Sequence, residues 1–184
     1  MNTRIIVVSG SPGSGKTSLV CKLGDELGVP VLSKDLFKDA MMDVAPPGNR
    51  QESSQLGHLA WAAFYAAVDS LNGTVPCLLL EANFHRDFAK RELLPRLRQG
   101  DAWNLHCEAD RETIVQRIRA RKDDPTRHQG HFDQEAIPDL LRLLDQDAYR
   151  LDFPGISSLA VDTTNGYRPG FPAILTAMAT FSSP

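Results

Sequence analysis

The sequence lacks a surplus of either charge: 20 lysines and arginines stand against 23 acids, a net charge of −3. A polyanion partner therefore has no global basic footprint to attract it, and only local clusters leave nucleic acid open. Long hydrophobic runs are absent too. None approaches the ~20 apolar residues that span a bilayer, so no membrane segment is expected. No leader-like stretch is read, because Met1 is followed within a few residues by the first strand-like run, and a cytoplasmic protein is expected. Cysteine is scarce. Cys21, Cys77 and Cys107 are odd in number and far apart, which excludes a disulfide framework and a thiolate metal site. All three lie in apolar runs and are expected to be reduced core residues. Repeats and low-complexity tracts are missing, so a solenoid, a fibre and a disordered chain are excluded. At 184 residues one domain is expected over 1–184, with a mobile appendage.

What is present begins at Ile5. A four-residue apolar run through Val8 reads as a parallel strand buried on both faces. It is followed by Gly10, Ser11, Pro12, Gly13, Ser14, Gly15, Lys16, Thr17 and Ser18, which contain G-x-x-x-x-G-K-[ST]. A polyphosphate must be wrapped by backbone N–H groups, and side chains would obstruct it. Glycines permit that approach, and the helix that follows turns its positive end toward the anion. Lys16 supplies a point charge near the outer phosphates, and the Thr17 hydroxyl can ligate Mg²⁺. This spacing predicts a site for a nucleotide's phosphates, with Mg²⁺ beside them.

The remaining chain alternates helices and strands. Residues 16–27 read as a helix and 29–32 as a short strand near an edge, because Pro30 cannot donate to a ladder. Asp35 stands just past that strand, at the edge where open α/β sheets bind ligands. It suits a general base or a hydroxyl-orienting group, and equally an N-cap. Residues 43–54 read as a loop, followed by a long helix with an apolar stripe. On its flank His58, Trp61 and Tyr65 suit a pocket wall or aromatic packing at the helix boundary.

A third strand over 75–81 ends in Glu81, in the manner of a second nucleotide-site element that positions Mg²⁺ or its water. Asn83, His85 and Arg86 follow at the same edge, as substrate contacts or solvated loop residues. Residues 87–99 read as a helix ended by Gly100, 102–107 as a fourth strand, 158–162 as a fifth and 172–181 as a closing helix. Residues 163–167 could frame the adenine. On the helix capped by Asp110, Arg117 and Arg121 share one face. With Arg127 they read as a lid over phosphates at about 117–133, since the guanidinium fork matches phosphoryl oxygens. Asp123 and Asp124 are placed to neutralise them.

Together GSPGSGKTSL, KDLFK and VQRIRAR resemble the small P-loop kinases that include chloramphenicol phosphotransferase, the zeta-toxin kinases and the polynucleotide 5′-kinase domain. The resemblance covers most of the chain. It implies a P-loop NTPase α/β/α sandwich with a five-stranded, mainly parallel sheet and a helical lid. It also implies that Asp35 orients or deprotonates the acceptor hydroxyl and that Lys38 partners a phosphate. By the same resemblance Arg117 and Arg121 hold ATP phosphates and the transferring group. The basic residue at Lys38 is a lysine where the family pattern favours arginine. The segment 127–131 resembles a signature of uncharacterised kinases.

The expectation is an ATP-dependent phosphotransferase acting on an alcohol group of a small molecule. Its catalytic groups are Asp35, Lys16 and Arg121, and residues 10–18 with Arg117, Arg121 and Arg127 take ATP. Asp35, Lys38, Asn83 and Arg86 meet the acceptor, while Thr17 and Glu81 hold Mg²⁺. A nucleotide or polynucleotide 5′-hydroxyl kinase and a non-catalytic ATP-binding switch are the alternatives.

Overall fold

The computed structural model of the protein describes residues 2–97 and 101–180. Among these, five strands form one sheet: β1 (Arg4–Ser9), β2 (Val31–Ser33), β3 (Cys77–Glu81), β4 (Ala102–Glu108) and β5 (Ser157–Asp162). Their order is β2-β3-β1-β4-β5, and every pairing is parallel. β1 is central. The chain leaves it to build β2 and β3 on one side, then crosses over for β4. The carboxyl end of β1 is therefore a topological switch point, where such sheets leave a crevice.

Side chains alternate across β1, as a period of two requires. Ile5 and Val7 face a core layer with Phe64 and Val68 of α3 (Arg50–Leu71) and Ala89 of α4 (Arg86–Glu92). Ile6 and Val8 face Leu19 and Leu23 of α1 (Lys16–Leu27) and Ile174 of α7 (Phe171–Thr180). The result is the expected three-layer α/β/α sandwich. A third cluster packs Ile114 and Ile118 of α5 (Arg111–Ala120) on Leu140 of α6 (Ile137–Asp145), beside the loop after β1. α2 (Lys34–Val44) follows β2 without an intervening loop. Gly24 sits inside α1, a costly place for glycine. A Cβ there would lie 2.6 Å from Val31 Cγ2, so its absence lets α1 close on β2.

Four local expectations need correction. β2 starts at Val31 rather than residue 29. α3 starts at Arg50, inside the expected loop, because Asn49 caps it: its side chain accepts from Glu52 N at 3.0 Å, and Glu52 Oε2 accepts from Gly48 N at 2.7 Å. The helix expected over 87–99 stops at Glu92, and Leu94–Arg96 form a 3₁₀ turn, because Pro95 has no N–H to donate. Gln99, Gly100 and Phe181 lie outside the described residues. Cys21 is exposed, since the buried stripe of α1 runs through Leu19, Val20 and Leu23 and turns position 21 outward. Cys107 is buried, Cys77 is half-buried, and all three are free. Among the described residues no helix is long and apolar enough to cross a membrane.

Phe64 is fully buried against the sheet. Phe64→Ala is expected to lower the unfolding free energy by ~3–5 kcal/mol in urea titration. A change below about 1 kcal/mol would show that α3 does not form a packed layer.

Candidate active site

The chain turns sharply between Ser9 and Lys16. Gly10, Gly13 and Gly15 take φ of 142°, 80° and 78°. A Cβ on Gly10 would come 2.3 Å from the Cys107 carbonyl oxygen, and one on Gly13 2.9 Å from that of Ile114. Both the backbone angle and the close walls therefore require glycine. The loop also uses its own groups. The Ser11 carbonyl accepts from Ser14 N at 3.2 Å and from Lys16 Nζ at 3.3 Å, while Pro12 is half-buried in the turn. Gly15 is the N-cap of α1, and no side chain caps that turn. Its N–H groups and dipole end are left for an anion. Gly13, Gly15, Lys16, Thr17 and Ser18 border a cavity of about 360 Å³. The Ser14 hydroxyl is buried in this loop without a hydrogen-bond partner.

Glu81 meets this loop from β3. In the sheet it sits between Val8 of β1 and Ser33 of β2. Thr17 Oγ1 donates to its Oε1 at 3.3 Å, Ser33 Oγ donates to its Oε2 at 2.5 Å, and Lys16 Nζ lies 3.6 Å from Oε1. Burial pushes the Lys16 pKa down, while Glu81 and Asp35 pull it back up. Among the described residues no cluster of three or more His, Cys, Asp or Glu could hold a metal. One hydroxyl and one carboxylate nevertheless fit Mg²⁺, which takes one or two protein oxygens and fills its octahedron with water and phosphate.

Asp35 lies in the first turn of α2. The N-cap reading fails for it: Ser33 holds the cap position and gives its hydroxyl to Glu81. Lys34 Nζ is 3.3 Å from Asp35 Oδ1, and Arg127 Nη1 is 3.4 Å from Oδ2. Burial would raise the Asp35 pKa. Lys34, His131, Arg127 and Lys16 outweigh it and hold the carboxyl well below the usual carboxylate range. Such a group stays ionised near neutrality. It is a weak proton acceptor and a strong hydrogen-bond acceptor for a hydroxyl.

The arginines divide between two tasks. Arg117 and Arg121 border the phosphate-loop cavity with Thr163, Gly166 and Tyr167 from beyond β5, and Arg127 does not. Arg117 donates to Gly13 O at 3.1 Å and to Thr163 O at 2.6 Å, tying the loop to the end of β5. Arg121 Nη1 is 3.4 Å from Asp133 Oδ1. Arg127 grips Asp133 twice, at 2.7 and 3.1 Å, as well as Asp35. The neutralising acid is therefore Asp133, not Asp123 or Asp124. Asp123 is exposed, and the Asp124 side chain accepts from Thr126 N and Oγ1.

The segment 127–131 docks on α2 and α3. His131 Nε2 lies 2.5 Å from Asp39 Oδ1, and His128 Nε2 lies 3.7 Å from Asp43 Oδ1. With Asp35 these aspartates are four apart, on one face of α2. Ser53 Oγ donates to Gly130 O at 2.5 Å and accepts from Lys38 Nζ at 2.7 Å. Lys38 is thus buried under this segment rather than open to a substrate phosphate. Burial pushes its pKa down to about 8, Lys34 and Arg127 add to that, and Asp35 and Asp133 oppose it.

The acceptor candidates beyond β3 also separate. Asn83 lines a second cavity of about 270 Å³, walled by Trp61, Tyr65, Phe84 and Phe88 with His58 and His85 also in its lining. Trp61 and Tyr65 stack at 5.4 Å between centroids, so they both pack and line. Arg86 is exposed beside Asp87 at 3.9 Å, outside that wall. Asp133, Lys34, Ser33 and Ser53 are site residues that sequence reasoning passed over. Only Lys34, adjacent to Asp35, carried a local signal.

The family described as "AAA domain" matches residues 5–146. No curated protein matches the chain. The crystal structure of an inferred kinase from Chloroflexus aurantiacus j-10-fl is 28% identical, with 98% of this chain and 99% of that one covered and a TM-score of 0.81. A gluconokinase from Sinorhizobium meliloti 1021 superposes with a TM-score of 0.58 at 16% identity, over 97% of both chains. A shikimate kinase from Acinetobacter baumannii, in complex with shikimate, gives 0.52 at 16% identity over 98% of this chain and 94% of that one. The last two likenesses show the shared fold, which is that of small P-loop kinases.

Lys38 binds its proton less tightly folded than unfolded, so stability rises with pH between about 8 and the ordinary lysine range. Lys38→Met is expected to flatten that rise in urea midpoints measured from pH 7 to 10.5. An unchanged slope would place the lysine in a solvated environment.

Proposed function

The chain belongs to the AAA domain family, and we propose that it is an ATP-dependent kinase transferring the γ-phosphoryl group to a hydroxyl of a small molecule. The observation that supports this reading is the meeting of two groups at the carboxyl edge of the sheet, where α1 and α2 begin. There the buried Lys16 of the phosphate loop and Asp35 each feel the other's charge, and Asp35 is clasped by Lys34 and Arg127.

In this reading residues 10–18 wrap the phosphates, and Lys16 offsets charge on the outer pair. Thr17 and Glu81 would hold Mg²⁺, which would supply positive charge to the phosphate oxygens. Asp35 accepts the hydrogen bond of the acceptor hydroxyl and aims its oxygen at the γ-phosphorus. The new O–P bond forms as the bond from the γ-phosphorus to the bridging oxygen breaks, and ADP leaves with the electron pair. The hydroxyl proton becomes acidic only as that bond forms, so a weakly basic aspartate suffices to receive or guide it. Arg121 lies between cavity and Asp133 and stabilises the equatorial oxygens in transit, while Arg117 keeps the loop in place. Residues 117–133 act as a lid over the cleft, with Arg127 on its acceptor side. Catalysis is then positioning and electrostatics, as phosphoryl transfer generally requires.

Asp35→Asn is expected to reduce transfer from labelled ATP by about 10²-fold or more while sparing ATP affinity. Unaltered turnover would remove Asp35 from the reaction. Lys16→Ala is expected to weaken nucleotide binding or transfer at least tenfold, and normal values of both would contradict the phosphate-loop reading. Because the Asp35 carboxyl is held ionised, the pH–rate profile should lack an acid limb between pH 5 and 7 that Asp35→Asn removes.

A further inference from the structure

We propose that Thr163 is a positioning residue for the nucleotide's phosphates, holding one peptide of the phosphate loop in the orientation that phosphate binding needs. The inference deepens the kinase reading and rests on its nucleotide site. Thr163 is the first residue after β5 and is buried. Its N–H donates to Glu108 O, at the end of β4, at 2.8 Å, so its place is set by the sheet. Its hydroxyl stands between a group that only donates and one that only accepts. Arg117 Nη1 donates to Thr163 Oγ1 at 3.0 Å, and Thr163 Oγ1 donates to Ser14 O at 2.8 Å. A guanidinium offers no acceptor and a carbonyl no proton, so the hydroxyl proton has one arrangement that satisfies both. Arg117 Nη2 closes the pair by donating to Thr163 O at 2.6 Å.

The Ser14 carbonyl and the Gly15 N–H are the two ends of one flat trans peptide and point in opposite directions. Fixing the oxygen on Thr163 therefore fixes the direction of the Gly15 N–H, in the loop whose N–H groups take the phosphates in this reading. The charge of Arg117 draws electron density from the hydroxyl oxygen. That makes the hydroxyl a stronger donor to Ser14 O and the N–H at the far end of the peptide more positive. The loop and the threonine are in direct contact, with no room for a bridging water. A Cβ on Gly15 would lie 2.9 Å from Thr163 Oγ1 and 3.2 Å from Thr163 Cβ. Arg117 Nη1 also donates to Gly13 O at 3.1 Å, so this one pair holds two successive carbonyls of the loop.

The test is calorimetry on the full chain with Mg²⁺ and a non-hydrolysable ATP analogue, and separately with inorganic tripolyphosphate. Thr163→Val keeps the shape of the side chain and removes its hydroxyl. It is expected to weaken both ligands about tenfold or more. Thr163→Ser keeps the hydroxyl and should restore both affinities. Loss of fold is separable, because an unfolded fraction lowers the number of binding sites and leaves the affinity of the folded ones. Thr163→Ala carries the same expectation should the valine variant fail to fold. Native affinity in Thr163→Val overturns the inference, and so does a loss that Thr163→Ser shares. Weakened binding of the analogue with unaltered binding of tripolyphosphate overturns it too, since a residue that serves the base would give that pattern. Native protein that binds neither ligand brings down the nucleotide site and the inference together. The expected loss in Thr163→Val, with no transfer from labelled ATP to any acceptor by the native chain, leaves the inference standing and removes the kinase reading.

Discussion

A carboxylate buried at the end of the third strand holds the site together. Glu81 is 3% exposed, and an unpaired charge at that depth would be strongly destabilising. It is satisfied from three sides: by Thr17 and Lys16 at the start of α1, and by Ser33 at the end of β2. The parallel register requires this meeting, since Val8, Glu81 and Ser33 are neighbours across the sheet. One acid therefore fastens the phosphate loop to the strand from which α2 departs. Asp35 comes two residues later, so its position relative to Lys16 is inherited from that fastening.

Charge balance explains the second tier. Lys16, Lys34, Arg121 and Arg127 crowd a small region, and Asp35, Glu81 and Asp133 answer them. The set is nearly neutral without a nucleotide. In the proposed reaction the incoming phosphates add negative charge, and the cation held most loosely yields first. Arg121 makes one contact to Asp133 at 3.4 Å, whereas Arg127 makes two shorter ones. The division of labour between these arginines follows: Arg121 is free to turn to a phosphoryl group, and Arg127 remains with the acids.

The fold was legible because its signals are local. The apolar run 5–8, the glycine spacing and the acid closing β3 each announce an element within ten residues. Errors arose where a single residue overrules periodicity, as Pro95 does in α4 and Asn49 does at the start of α3. That Glu81, Thr17 and Asp35 stand near one edge of the sheet was readable because Glu81 ends β3 while Thr17 and Asp35 open the helices that follow β1 and β2. Asp133 and Ser53 were not, since their partners lie six to 77 residues away and depend on how 127–131 docks. Lys38 was misread for the same reason: its neighbour in sequence is the cleft, but its neighbour in space is Ser53.

The docking of 127–131 on α2 has a consequence for the history of the chain. Three aspartates at a four-residue interval meet Arg127, His131 and His128 along one helix face. Each added or lost residue in α2 would swing the downstream acids by about 100° around the axis. Length variation among relatives should therefore collect in 122–126, ahead of the docked segment. Inside 35–43 and 127–131, substitutions can accumulate, but insertions and deletions would have to arise as matched pairs.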